Sequence, residues 1–140
     1  MRPPAAIMAV LLCCALAGCG ESGADDDDTG RVRGWIFAMN AGRYEDAAAY
    51  FARNALVDQG PRFRLRSRAD AETFVRGLPC RADLTAVRDE GKTVLGTFRL
   101  RAGPGGPCKG VVKVRFTMRD GRFTEFRQLP GPDELTGPPI

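Results

Sequence analysis

Between Cys80 and Leu129 the chain reads as four strand-length runs, "CRADLTAVRD", "KTVLGTFRLR", "GVVKVRFTMR" and "RFTEFRQL". Turn signals separate them at Glu90-Gly91, in the "AGPGGP" loop and at Asp120-Gly121. Links of this kind close hairpins and leave no room for a helical crossover, so successive strands are predicted to run antiparallel as a meander. In the third run Val112, Val114, Phe116 and Met118 alternate with Lys113, Arg115 and Thr117. Alternate residues of a strand point to opposite faces, which predicts one face that packs and one that is wet or lines a cavity.

The cover for the packed face comes earlier in the chain. "RVRGWIFAMNAG" places Val32, Trp35, Ile36 and Met39 at helical spacing and stops at Gly42, which predicts an amphipathic helix. "RYEDAAAYFAR" predicts a second, with Tyr44, Ala47, Ala48 and Phe51 on one face. "SRADAETFVRGLP" predicts a third, opened by Ser67 and Asp70 as a variant capping box, striped by Ala71, Phe74, Val75 and Leu78, and stopped at Gly77. "ALVD" and "RFRLR" read as two short strands around a Gly60-Pro61 turn. Helices first and strands afterwards predict an α+β domain, three N-terminal helices packed on a curved antiparallel sheet.

The N-terminus reads as a targeting segment. A short positive start, an apolar run from Ala5 to Leu16 and the sequence Leu16-Ala17-Gly18-Cys19 resemble a bacterial lipoprotein signal: the run is short for a bilayer span, and the small residues admit a peptidase to the backbone. Residues 1–18 are then a signal peptide and Cys19 the lipidated first residue of the mature chain, anchored at the extracytoplasmic face of the cell membrane. "GESGADDDDTG" has no apolar residue larger than alanine, so residues 19–30 are expected to form a solvated acidic tether. Residues 31–129 suffice for one domain, and the proline-rich residues 130–140 are read as a frayed tail.

Cysteine usage agrees with export. Once Cys13 and Cys14 leave with the signal and Cys19 carries lipid, only Cys80 and Cys108 remain, and outside the cytoplasm two such thiols are expected to pair. The chain has no histidine and no C-x-x-C motif, so the sequence proposes no metal site and no cofactor.

The order of helices and strands, together with "NAGRYEDAAAYFARNALV", "LPC" and "RFTMRDGRFTEFRQLP", resembles the nuclear transport factor 2-like superfamily, the cone-shaped fold shared with SnoaL-like polyketide cyclases and ketosteroid isomerases. The resemblance implies a deep apolar pocket between helices and sheet, and homodimers through the sheet. Trp35, Tyr44, Asp58, Phe74, Phe98 and Phe116 are the candidate pocket residues. Carried over by spacing, the isomerase oxyanion tyrosine falls on Trp35, the general-base aspartate on Gln59 with Asp58 one place earlier, and the protonated acid on Lys113. None of the three is kept, and the lack of histidine excludes a Ser-His-Asp or Cys-His arrangement. An enzyme would rest on Asp58 as a carboxylate base. The favoured expectation is a binding or accessory module that holds a small apolar ligand or a protein partner.

One further pattern stands apart. "RFRLRSR" sets Arg62, Arg64, Arg66 and Arg68 at alternate positions, so the extended part of the run presents guanidinium groups on one face and Phe63 and Leu65 on the other. Such a face protects an edge strand from strand addition. It also fits an anionic lipid or envelope surface near an anchored domain. Nucleic acid is not expected, because no aromatic residues interleave at the exposed positions to stack bases.

Overall fold

A computed structural model describes residues 27–131 of the chain. Cys19, the expected signal segment, most of the expected tether and the last nine residues of the chain lie outside the described residues.

Helix α1 (Asp28–Asn40) takes in the last three residues of the expected tether. Asp27 is the reason: its carboxylate accepts from the Gly30 N–H at 2.7 Å and the Thr29 hydroxyl at 2.8 Å, so the acidic run itself caps the helix. Helix α2 is short (Tyr44–Ala48) and is followed by strands β1 (Phe51–Asp58) and β2 (Arg62–Leu65), helix α3 (Arg68–Gly77), and strands β3 (Arg81–Asp89), β4 (Thr93–Arg101), β5 (Val111–Arg119) and β6 (Arg122–Gln128). Ser67 caps α3 by accepting from Asp70 N–H at 3.1 Å, while Asp70 accepts in return from the N–H of Arg66 at 2.9 Å.

Two expectations are corrected. Phe51 does not lie on the second helix; it opens β1. The peptide C=O of Tyr50 accepts from Phe123 N–H at 2.8 Å, and the Phe51 ring meets Trp35, Phe74, Phe123 and Phe126. Burial among aromatic rings outweighs the helix propensity of the preceding alanines. The sheet, moreover, is mixed. Its order is β2-β1-β6-β5-β4-β3, and β1 pairs with β6 in parallel, which the long intervening chain permits. The other four pairings are antiparallel.

One face of the sheet carries the core. A cross-strand row runs Phe63, Val57, Phe126, Phe116, Val94 from β2 to β4, and α1 lays Val32, Trp35 and Met39 into the same core. Trp35 is the hub, with Phe51, Phe98, Phe116, Phe123 and Phe126 edge-on around it at 5.7–6.4 Å between ring centres. Gly34 makes room for this packing, because a Cβ there would collide with the Tyr50 hydroxyl. At the β5–β6 turn Asp120 and Gly121 both take positive φ, 51° and 72°, as a tight hairpin of matching twist requires. The Cys80–Cys108 disulfide is formed, with Cα atoms 5.8 Å apart. It joins the start of β3 to the β4–β5 loop, and closing a loop of this length stabilises by about 3–4 kcal/mol on the chain-entropy estimate.

Candidate functional site

Where α1 ends and the sheet curves away, the core opens into a cavity of about 260 Å³. Trp35, Ile36 and Met39 from α1 form one wall, and Phe98, Val114 and Phe126 from the sheet form the opposite one. The Leu78–Pro79 segment and the disulfide at Cys80 form part of the rim. An apolar cavity of about 150 Å³ holds benzene, so this one has space for a ligand of about ten carbon atoms.

The polar groups near the opening are largely spent on structure. Asn40 donates to the carbonyl of Ala82 at 2.8 Å and accepts from the Ala82 N–H at 3.4 Å, pinning the end of α1 to β3. Gln59 at the end of β1 donates to Gln128 at the end of β6 at 3.3 Å, bridging the parallel pair at the cavity edge. The Tyr44 ring lies under the Arg76 guanidinium, 5.0 Å from its centre. Trp35 Nε1 differs: the residue is 4% exposed, and its buried N–H has no acceptor among the described residues. Phenyl rings surround it, and a ring face is a weak substitute for a true acceptor.

The expected pocket residues separate into four groups. Trp35, Tyr44 and Phe98 line the cavity. Phe116 is fully buried behind Trp35, at 5.7 Å between ring centres, and belongs to the core. Phe74 packs against Phe51, Phe63 and Phe126 and lines an adjoining open groove with Arg62, Arg64 and Arg66. Groove and cavity meet at Gln59, Leu78 and Pro79. Arg68 is not part of that row: it starts α3 and donates to the carbonyl of Glu45 at 3.3 Å.

Asp58 lies on the other side of the sheet. Val57, its neighbour, is fully buried in the core row, so alternation turns Asp58 outward. Its carboxylate accepts from Arg62 Nε at 2.9 Å and from the Gly60 N–H at 3.4 Å, with Arg127 Nε at 3.7 Å. It is not among the cavity-lining residues. Lys113 is likewise exposed, on the face opposite Val112 and Val114. The cavity lining holds no carboxylate, amine or free thiol; its ionisable side chains are Tyr44 and Arg81. Among the described residues no group of three or more cysteine or acidic side chains could hold a metal ion.

Sequence reasoning overlooked the Asn40 clamp and the Gln59–Gln128 bridge. Gln59 had a signal in the carry-over from the isomerases, which lands on it. Asn40 and Gln128 had none, since their partners are distant in sequence.

The sequence model of the SnoaL-like domain matches residues 32–126. Solved structures share the fold at low identity. An NTF2-like protein of unknown function from Cytophaga hutchinsonii superposes with a TM-score of 0.64 at 12% identity, covering 79% of this chain and 96% of its own. A protein from Kribbella flavida, provisionally named a ketosteroid isomerase, gives 0.61 at 18% identity over 81% of this chain and 89% of its own. One from Xanthomonas campestris, provisionally named a polyketide cyclase, gives 0.56 at 24% identity over 77% and 93%. No curated protein matches the chain in sequence.

Proposed function

The chain belongs to the SnoaL-like domain family, and within that family we propose that it is a lipid-anchored, extracytoplasmic binding module whose cone holds a small apolar molecule. The observation that carries this reading is the chemistry of the cavity lining. Aliphatic and aromatic side chains face one another across a space sized for about ten carbons, and no carboxylate stands among them to take or give a proton. Ligand sites of this composition owe affinity to apolar burial and orientation to a few polar groups. Asn40, Gln59 and Gln128 are the polar amides in this lining, and Trp35 contributes its ring.

Names given to structural relatives suggest isomerase or cyclase chemistry. Such a reaction on this chain would need Asp58 in the cone, and Asp58 is held on the opposite face by Arg62. Binding therefore accounts for the site with fewer rearrangements. The anchor part of the reading rests on the sequence alone, on the order of positive start, apolar run, lipobox and tether around Cys19.

Two measurements test it. Native mass spectrometry of exported protein carrying Cys19→Ala is expected to show the folded chain with a small co-purifying adduct that leaves on denaturation; a chain of bare mass in every preparation counts against the binding role. Detergent phase partition is expected to send the parent into the detergent phase and Cys19→Ala, carried on a chain that starts at residue 19, into the aqueous phase. A variant that partitions like its parent would falsify the anchor.

A further inference from the structure

The register of the six strands draws one row across the outer face of the sheet: Arg62, Asp58, Arg127, Arg115, Leu95, Arg88, from β2 to β3. Arg64, Lys113, Arg99 and Arg101 share that face by alternation. At least eight cations therefore stand on this face, with the acids Asp58, Asp83 and Glu125 and, from the β3–β4 turn, Glu90.

Every one of those acids is already engaged. Asp58 meets Arg62 and Arg127, Glu125 meets Arg127, Asp83 meets Arg99 and Arg101, and Glu90 meets Arg88 and Arg115. Lys113 makes no side-chain ion pair among the described residues, and Arg64 donates only to the backbone carbonyl of Asn54 at 2.9 Å. The face keeps an uncompensated positive field. Two copies meeting through it would oppose like charges, which disfavours the dimer that the family resemblance implies.

We propose that the outer face of the sheet docks on anionic phospholipid headgroups and lays the domain flat against the bilayer that anchors it. Guanidinium groups pair with phosphate oxygens in a planar, bidentate manner, and each cation near an anionic leaflet adds to the attraction. Reach supports the same occupant, and this step rests on the anchor reading above. Eight residues separate Cys19 from the start of α1, so the tether spans at most about 30 Å. The cone, on the opposite face, is then turned away from the lipid.

The test uses the mature chain from residue 19 with Cys19→Ala, so its outcome depends neither on acylation nor on the apolar run before it. Co-sedimentation is compared on vesicles of phosphatidylglycerol mixed with phosphatidylcholine and on phosphatidylcholine alone. Binding is expected on the anionic vesicles only, with release at about 1 M salt, where screening is nearly complete. Arg99→Gln with Lys113→Gln should weaken partition about 25-fold, taking about a fivefold loss for each cation. Arg33→Gln with Arg43→Gln removes the same charge from the helical layer and should leave partition at the parental value. Equal binding to neutral vesicles, equal loss in both double variants, or a self-associated chain that stays off the vesicles each overturns the proposal. Failure here leaves the anchor standing, since phase partition reads the anchor separately.

Discussion

Asp58 Oδ2 accepts from Arg62 Nε at 2.9 Å across the β1–β2 pair, on the face of the sheet away from the cavity. Asp58→Asn is therefore expected to leave the co-purifying ligand bound while lowering stability by about 1 kcal/mol, the scale of a partly exposed ion pair. Urea unfolding and native mass spectrometry on the same preparation check both halves. A folded variant that sheds its ligand would restore Asp58 to the site.

Trp35→Phe separates packing from recognition. The phenyl ring keeps most of the apolar volume among the five surrounding phenylalanines, so the cost in stability should stay below about 1.5 kcal/mol. The wall of the cavity loses part of the indole ring, and the ligand adduct should weaken with it. Parental ligand retention in a folded variant would make Trp35 a core residue and nothing more.

Gly34→Ala offers a test of the helix-to-strand packing. In an unobstructed helix interior alanine would stabilise by about 1 kcal/mol. Here the new methyl meets the Tyr50 hydroxyl, and the change should instead destabilise by about 1–3 kcal/mol. Tyr50→Phe removes the obstructing oxygen and should recover part of the loss. Additive losses in the double variant would contradict the contact.

The Asp27 carboxyl is held below the usual aspartate range, chiefly by the Gly30 N–H and then by the Thr29 hydroxyl that donate to it. Its folded pKa is depressed, so its contribution to stability is present above the ordinary aspartate pKa and fades as pH falls through the folded value. Asp27→Asn keeps a capping oxygen but has no charge to titrate, and its melting temperature should decline less than the parent's across the acid range. Identical acid profiles would remove the cap from the account.

The four late strands were legible because each has one dry and one wet face, and that asymmetry is written at every second residue. The parallel β1–β6 pair was not, because Phe51 and Phe123 are partners only through the whole intervening chain. Helix α2 was read too long for a related reason: "AAAYF" has helical local preferences, and only the distant rings of Phe123 and Phe126 draw Phe51 into a strand. Within the site, Trp35 was legible as part of an apolar helical stripe. Phe116 was misplaced into the lining because alternation tells the face of a sheet and not the depth within the layer that covers it.

The parallel pairing of β1 with β6 also governs when the domain can form. β1 is complete at residue 58, yet its neighbour toward the sheet centre starts at residue 122. Closing so long a loop is paid in entropy before the contact returns anything, which makes such pairings late events. A chain emerging N-terminus first exposes α1, α2 and the β1–β2 hairpin with no sheet to cover them, and the aromatic hub around Trp35 stays incomplete until Phe123 and Phe126 arrive. Folding is thereby tied to release of nearly the whole chain, which stays unfolded at whatever exit it emerges from until its final strand is clear.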